Sequence, residues 1–461
     1  MQTRYLYQGS SRKTSAKGKV KAVMPIQEDT RNIKAKILLL GTCDTKLEEM
    51  LFVREQILKQ KTCAVLLMDL GRIPSDHAAI DIPHVELVRR GPPLPPSQDA
   101  HACLSTLSRA KYIKHMISCA TPFVSEMHTS GQIHGIIAVG GSCGTALATA
   151  VMRNALPVGF PKLMVSTMAS GDVKPFVEET DIMMMYSVVD IAGTNSILNQ
   201  ILTNAAAAIT GMALLYATHL ASRTTASKSS TGSKKRIGVT MFGVTTPCVD
   251  LIRQHLEQKH NYEVYVFHAT GAGGKAMERL ISEKMIDAVL DVTTTEIADE
   301  LVGGVLTAGP DRLTAAAKAE IPQVISVGAC DMVNFGPRDT VPARFKQDRL
   351  LYEHNPAVTL MRTSPEECKR IGEFIADKLR SHASKPELVR VILPTGGVSM
   401  LSTPGQPFHD QEADSALFET IERELEGMKI AVMRDARAIN DEGFALFAAE
   451  SLVELIQRSE Q

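Results

Sequence analysis

The sequence predicts an α/β protein made of two Rossmann-like, doubly wound parallel-sheet domains in tandem. Two observations support this prediction. Short, continuously apolar runs alternate with amphipathic stretches, and this alternation starts again after a polar interruption. Strands that are apolar on both faces and separated by helices are typical of parallel sheets covered on both sides. The 461 residues, 44% hydrophobic and 22% charged, suffice for two or three soluble domains.

The amino-terminal segment, residues 1–34, is predicted to be a basic, disordered extension. Its first 27 residues contain no acidic residue but several Lys and Arg side chains. This composition is also typical of an organelle transit peptide, although a disordered extension of a cytoplasmic protein is favoured. The cysteines are scattered without CxxC spacing, which indicates a reducing compartment. A net charge of −1 gives no reason to expect nucleic-acid or membrane binding.

The first domain is predicted to span residues 35–221. Its closing helix, at 197–217, is the stretch nearest to a membrane span. Asn199, Gln200 and Asn204 interrupt that stretch, so a buried helix is preferred. A long helix is predicted at about 103–129, and strands are predicted at 36–40, 64–69, 136–139, 162–166 and 181–186.

Residues 222–235 are rich in Ser, Thr and Lys without an apolar period, and they are predicted to form a flexible linker. The second domain is predicted to span 236–461. The segment 331–336 has the composition of a polar turn following a buried strand. Further strands are predicted at 236–241, 262–267, 288–292, 323–327, 389–393 and 430–433.

A glycine-rich turn after the strand at 136–139 indicates an anion site. Glycines allow close backbone approach, and the first N–H groups of the following helix point at the ligand. In open parallel sheets ligands bind outside the carboxyl ends of strands, so the loops at 41–46, 140–145 and 166–171 are expected to converge. A phosphate is the expected guest. The candidate binding residues are Asp44, Thr45, Lys46, Arg72, Gly140, Gly141, Ser142, Gly144 and Thr145.

Ordinary tight turns would also account for each of these loops taken singly. Neither GxxxxGK[ST] nor GxGxxG occurs in the sequence. The cysteines near the loops, Cys43 and Cys143 among them, have no activating basic neighbour in sequence, so small-residue filler is preferred over a nucleophile.

In the second domain, His268, Glu296 and His354 are the candidate catalytic residues. Their side chains suit proton transfer or metal ligation, and they follow or lie near predicted strand ends. They are far apart in sequence, so no spacing rule supports a metal, and a structural or surface role is the competing interpretation for each histidine.

A series of longer motifs resembles one known family. This is the family of the ATP-binding inhibitory domain of the plant tomato mosaic virus resistance protein, with bacterial and fungal members of unassigned function. The resemblance covers about residues 35–458. Its motifs are GTCDTK (41–46), GGSCGT (140–145), STMASG (166–171), SVVDIAGTN (187–195), VTMFGVTTPCV (239–249), VFHATGAGGKAME (266–278), LDVTTTEIAD (290–299), SVGACDMVNFGP (326–337), HNP (354–356) and LMRT (360–363).

The resemblance implies two Rossmann-like domains, a homodimer, and ATP, alone or with Mg²⁺, at the positions matching 44–46, Arg72, and Gly140, Gly141, Ser142 and Gly144. The inhibitory activity of the plant protein is not expected to transfer. Cys143 stands where the family usually has glycine in the turn, which puts close backbone approach at that position in question.

Three functional hypotheses follow. The first is an ATP-binding protein whose second domain acts on a small acidic metabolite through His268, Glu296 and His354. The second is a non-catalytic, ATP-dependent regulatory or protein-binding module. The third, a dinucleotide oxidoreductase, is weakest because the GxGxxG fingerprint is absent.

Overall fold

The structure, a computed structural model, describes residues 34–93, 104–226 and 234–461. These residues form two α/β domains, each built on a parallel sheet, and a small antiparallel sheet attached to the second. The predicted fold class is therefore confirmed. The predicted basic extension lies outside the described residues except for Lys34, and so does the central part of the predicted linker.

The first domain is a five-stranded parallel sheet with the strand order β2-β1-β3-β4-β5. The chain moves outward from β1 to β2 and then returns to the other side of β1 to place β3. The switch point of the sheet therefore lies between β1 and β3. The elements are β1 (Ala35–Gly41), α1 (Cys43–Lys59), β2 (Cys63–Asp69), α2 (His84–Arg90), α3 (Arg109–Thr129), β3 (Gly135–Gly140), α4 (Ser142–Ala155), β4 (Lys162–Ser166), α5 (Lys174–Val177), β5 (Met183–Tyr186) and α6 (Ser196–Ala226).

The apolar run of β1 is continuous because both faces of the strand are covered. Leu38 and Leu40 pack with α3 and α4 on one face, whereas Ile37 and Leu39 pack with α1 and α6 on the other. All four side chains are fully buried. Alternate strand residues point to opposite faces, so a strand buried on both sides requires apolar residues at every position.

The helix α6 is longer than predicted and is only half covered. It continues past Ala217 to Ala226, into the predicted linker. It carries one buried stripe, including Leu202 and Ile209, while Ile197 and Leu215 are 54% and 58% exposed. Among the described residues, this one helix is long and apolar enough to cross a membrane, and 39% of its most apolar window is buried.

The second domain is a six-stranded parallel sheet with the order β14-β13-β9-β8-β6-β7, and its switch point lies between β6 and β8. The strands β10, β12 and β11 form a separate antiparallel sheet. The elements are β6 (Arg236–Met241), α7 (Thr246–Lys259), β7 (Glu263–His268), α8 (Ala272–Ser282), β8 (Ala288–Thr293), α9 (Thr295–Val302), α10 (Ala315–Lys318), β9 (Gln323–Gly328), β10 (Met332–Phe335), β11 (Leu351–Asn355), β12 (Val358–Arg362), α11 (Pro365–His382), β13 (Val389–Pro394), α12 (Gln411–Leu425), β14 (Ala431–Asp435) and α13 (Glu442–Ser459).

The sequence-based interpretation of 331–336 as a polar turn is wrong. Met332–Phe335 is a fully buried strand, β10, that pairs with β12. Val333 and Phe335 belong to the largest apolar core of the domain, so burial outweighs the turn propensity of the neighbouring Asp331 and Asn334. The predicted helix at 103–129 also begins later, at Arg109, where Ser108 accepts a hydrogen bond from the Lys111 amide.

Candidate functional site

A cavity of about 310 Å³ opens at the switch point of the first domain. It lies between the loops that follow β1 and β3, where ligands bind in open parallel sheets. Seven of the nine predicted binding residues line it, and Gly140 and Thr145 stand next to lining residues in the chain. The lining residues are Thr42, Asp44, Thr45, Lys46, Arg72, Arg109, Tyr112, Ile113, Gly141, Ser142, Cys143, Gly144 and Leu147.

The first turn of α4 forms one wall of the cavity. Gly141 is the N-cap residue, and the first intrahelical bond runs from the Thr145 amide to the Gly141 carbonyl at 2.8 Å. The amides of residues 142–144 thus have no acceptor inside the helix. A Cβ atom on Gly140 would lie 3.0 Å from the Gly144 Cα, so the turn closes tightly at that glycine.

Thr145 supports this turn from behind and is fully buried. Its hydroxyl shares a 2.6 Å hydrogen bond with the Ser166 hydroxyl at the end of β4 and lies 3.4 Å from the Gly140 carbonyl. The structure therefore gives Thr145 a positioning role behind the wall of the cavity.

The first turn of α1 forms a second wall. Asp69, fully buried at the end of β2, accepts a hydrogen bond from the Cys43 amide at 3.1 Å and from the Gly71 amide at 2.7 Å. Asp44 Oδ2 accepts from the Arg72 amide at 2.8 Å, whereas Asp44 Oδ1 is buried without a hydrogen-bond partner among the described residues. One carboxylate oxygen next to the cavity is thus left without a hydrogen-bond donor from that part of the chain.

Three basic side chains line the cavity: Lys46, Arg72 and Arg109. The Lys46 ammonium donates to the main-chain carbonyl of Ile191, and the Arg72 guanidinium donates to that of Leu107. The Lys46 contact is with a neutral carbonyl and therefore does not neutralise that ammonium. The cavity therefore combines two helix N-termini with three basic side chains and the carboxylate of Asp44.

Sequence analysis missed the contribution of α3, which supplies Arg109, Tyr112 and Ile113 to the lining. The Tyr112 hydroxyl donates to the Leu70 carbonyl at 2.5 Å, and its ring lies 5.9 Å from the Arg72 guanidinium carbon. Burial raises the pKa of Tyr112, which stays protonated. No strand-end pattern marks these residues, because they lie in the first turns of a helix and not at the end of a strand.

The cysteines near the cavity differ in access. Cys43 is buried, and burial together with the neighbouring Asp69 carboxylate raises the pKa of its thiol. Cys143 is half-buried on the cavity wall and is the accessible exception among the described cysteines. Neither has an activating basic partner among its hydrogen bonds in the described residues, so a structural role for both remains the better interpretation.

In the second domain, Glu296 belongs to a buried ion cluster. It is 1% exposed. Its Oε1 accepts from the Gly271 and Gly274 amides at 2.7 and 3.0 Å, and its Oε2 pairs with Arg312 at 2.8 Å. Arg312 also pairs with Asp291, at 2.5 Å. Glu296 Oε1 thus holds the β7–α8 turn and Oε2 is engaged by Arg312, which is a structural use of the carboxylate.

The two predicted catalytic histidines lie elsewhere in the second domain. His268 is exposed at the end of β7, where its ring stacks on Phe242 with centroids 5.7 Å apart. His354 is exposed in β11 of the small sheet. Neither they nor Glu296 line the switch-point cavity or the 1,420 Å³ groove between the domains. Their catalytic assignment stays a prediction.

The fold and cavity define a two-domain α/β protein with a positively charged cavity at the first switch point. The chain belongs to the uncharacterised protein family UPF0261: residues 35–218 match its N-terminal domain and residues 234–456 its C-terminal domain.

The curated relatives include bacterial and plant proteins. A UPF0261 protein of Clostridium tetani is 43% identical over 92% of this chain and 99% of its own length. The ToMV resistance protein Tm-1(GCR237) of Solanum lycopersicum is 37% identical over 92% of this chain, which spans 56% of that longer protein. The match to a crystal structure of UDP-N-acetylglucosamine 2-epimerase covers 64% of this chain and 79% of the epimerase chain. The sequence identity is 12% and the TM-score is 0.19. A likeness that low supports no functional argument.

Proposed function

We propose that the first domain binds ATP in the switch-point cavity. The main observation that supports this proposal is that the N-termini of α1 and α4 converge on one cavity, where the amides of residues 142–144 lack intrahelical acceptors. Helix N-termini bind phosphates through such amides and through the positive end of the helix dipole. Lys46, Arg72 and Arg109 supply the charge that a triphosphate requires.

The same cavity suits Mg²⁺ bound together with ATP. Asp44 Oδ1 is a hard oxygen donor with no hydrogen-bond partner among the described residues, and Asp44 lines the cavity. Mg²⁺ is usually held by one or two carboxylates plus substrate phosphates, and the Thr42 and Thr45 hydroxyls lie on the same wall. Asp44 would hold the ion, which would screen the phosphate charges.

The connection between the domains favours a regulatory use of the nucleotide. The helix α4 begins at the cavity and ends at the second domain, where Arg279 of α8 donates to the carbonyls of Arg153 and Leu156 at 2.8 and 2.9 Å. A ligand that orders the first turn of α4 also stabilises its last turn, because the helix is one cooperative unit. This coupling through α4 supports the regulatory module. The metabolite-transforming enzyme is less well supported, because both carboxylate oxygens of its candidate catalytic residue Glu296 already have partners in the fold.

A homodimer accompanies this proposal. Between Ser196 and Ser222 the sequence contains no Asp, Glu, Lys or Arg. Yet α6 exposes one side, with Ile197 and Leu215 more than half accessible and Ala207 exposed between them. A long helix face without charge is unusual for solvent contact, and packing against a second copy would cover it.

The test is nucleotide binding by calorimetry and thermal shift, with Ser142→Asp as the diagnostic variant. Ser142 is exposed in the first turn of α4, where an acidic side chain favours the helix but repels phosphate. We expect wild type to bind Mg-ATP and Ser142→Asp to bind it at least tenfold more weakly. The matched control is Ser196→Asp, an exposed first-turn position of α6. Wild type that does not bind ATP, or equal affinity in the two variants, would overturn the proposal.

Two additional arms separate the alternative functions. NAD is expected to leave the melting temperature unchanged, and a rise with NAD but not with ATP would favour the oxidoreductase. ATP recovered intact after long incubation with protein and Mg²⁺ supports the regulatory module, whereas steady production of ADP would contradict it.

A further inference from the structure

Two histidines and one glutamate meet between α7 and α13 of the second domain, and none of them lines either cavity described above. His255 lies in the last turns of α7, His260 directly follows that helix, and Glu450 lies on α13. One ligand atom from each lies within 4.8 Å of the others. His255 Nε2 is 2.5 Å and His260 Nε2 is 3.3 Å from the same oxygen, Glu450 Oε1.

We propose that His255, His260 and Glu450 form a zinc-binding site that joins α7 to α13. Two imidazoles and one carboxylate are a typical ligand set for Zn²⁺ that leaves one position for water. With Zn–N and Zn–O distances of about 2.0–2.2 Å, tetrahedral ligands lie roughly 3.3–3.5 Å apart. The His260–Glu450 separation already matches this value.

The remaining adjustment falls on Glu450, the most exposed of the three ligands. His255 is 6% exposed at its side chain and packed between the helices, whereas Glu450 is 46% exposed. Moving the Glu450 oxygen outward by less than about 1 Å would open the His255–Glu450 contact to the zinc spacing. The two less exposed imidazoles thus define the site, and the more exposed carboxylate completes it.

The chain after α7 is shaped to hold His260 in this position. Asn261 adopts a positive φ of 56°, which turns the backbone sharply after the helix. The Tyr262 amide then donates to the Leu256 carbonyl at 3.2 Å. The His260 ring lies between those of His255 and Tyr262, with centroids 5.5 and 5.6 Å away. This ordering reduces the entropy lost on metal binding.

An ordinary hydrogen-bonded contact between Glu450 and the two histidines is the competing explanation, and the two make different predictions. A contact of that kind needs no metal, so chelators would leave stability unchanged. A zinc site would raise the melting temperature with metal concentration, because zinc binds the folded chain.

The experiment uses the full chain, freed of metal with a chelator and then titrated with Zn²⁺ or Co²⁺. Bound metal is measured by elemental analysis, and Co²⁺ by its visible absorption. Cobalt bound to nitrogen and oxygen lacks the thiolate charge-transfer band, which distinguishes this site from the cysteines. The variants are His260→Gln and Glu450→Gln, both at partly exposed positions. The matched control is His219→Gln, an exposed histidine on α6.

We expect one zinc per wild-type chain with an N/O-type cobalt spectrum, and an affinity at least tenfold lower in His260→Gln and Glu450→Gln but unchanged in His219→Gln. Failure of wild type to retain zinc, a thiolate-type spectrum, or equal affinity in all four chains would overturn the site. None of these outcomes depends on ATP binding.

Discussion

Arg279, on α8 of the second domain, donates a 2.9 Å hydrogen bond to the carbonyl oxygen of Leu156, the residue that ends α4 in the first domain. The same guanidinium nitrogen donates to the Arg153 carbonyl, and another reaches the Thr180 hydroxyl. A cation at a helix C-terminus satisfies carbonyls that lack intrahelical partners. A helix that begins at the candidate nucleotide cavity therefore ends at a contact made by the other domain.

Replacing Arg279 with Met keeps the aliphatic length but removes these bonds. We expect a loss of roughly 2–4 kcal/mol in the free energy of unfolding, because hydrogen bonds to charged groups contribute about 1.5–3 kcal/mol each and are not additive. Calorimetry should show two separated unfolding transitions. ATP should raise the midpoint temperature of only the transition that belongs to the first domain. Arg253→Met, at an exposed pair on α7, is the control and should cost under about 0.5 kcal/mol. A single transition that ATP raises as in wild type would contradict the link through α4.

Cys143 offers a direct probe of the cavity. The other described cysteines are buried, so an alkylating reagent should modify Cys143 first. Saturating Mg-ATP should slow that modification several-fold, because the ligand would lie against the first turn of α4. Mass spectrometry measures the rate in a Cys103→Ser background, since Cys103 lies outside the described residues. Equal rates with and without ATP would place the nucleotide elsewhere.

The exposed face of α6 is tested with Ala207→Glu. A charge in the middle of an apolar contact between two copies costs several kcal/mol unless it is paired, so we expect monomers in place of dimers. Analytical ultracentrifugation measures the change. Gln457→Glu, an exposed position on α13, should leave the association state as in wild type. A monomeric wild type would remove the dimer from the proposal.

The Glu296→Gln variant tests whether Glu296 has a structural or a catalytic role. Glu296→Gln leaves the buried Arg312 with one carboxylate fewer, and breaking a buried ion pair typically costs about 3–5 kcal/mol. His268→Ala and His354→Ala change exposed side chains and should stay within about 0.5 kcal/mol of wild type in urea unfolding. If Glu296→Gln is as stable as wild type, the cluster is not needed for the fold, and the catalytic assignment gains weight.

The buried carboxyl of Asp331 is expected to make the stability of the protein depend on pH. It is fully buried, and burial raises the pKa of its carboxyl to about 7, although Arg362 and the Ser399 hydroxyl act in the opposite direction. At this site the folded chain then holds a proton that the unfolded chain has released, so the contribution of Asp331 to stability falls as pH rises from about 4 to 7. Asp331→Asn should reduce that slope by up to one proton, measured by urea unfolding at several pH values. An unchanged slope would show that Asp331 is ionised throughout.

The predicted fold followed from particular residues. The double burial of Ile37, Leu38, Leu39 and Leu40 is visible as an unbroken apolar run, because a strand covered on both faces cannot alternate. The glycines after β3 likewise indicated the tight turn from which α4 begins. The buried strand at Met332–Phe335 was missed, because a four-residue segment between Asp331 and Gly336 has too little periodicity to outweigh its polar flanks.

The sequence by itself determined two parallel-sheet domains and two of the three strand-end loops expected to converge, 41–46 and 140–145, since these depend on local hydrophobic pattern and turn chemistry; the third, 166–171, does not line the cavity. Only the tertiary structure decided which groups share a site. The strand order brought Lys46 and Gly144 to the same cavity. The packing of α3 added Arg109 and Tyr112 to its lining. In the second domain, Glu296 and Arg312 were buried as an ion pair. It also brought Glu450 to His255 across 195 residues. Contacts between residues so distant in the chain are set by packing, and no local pattern records them.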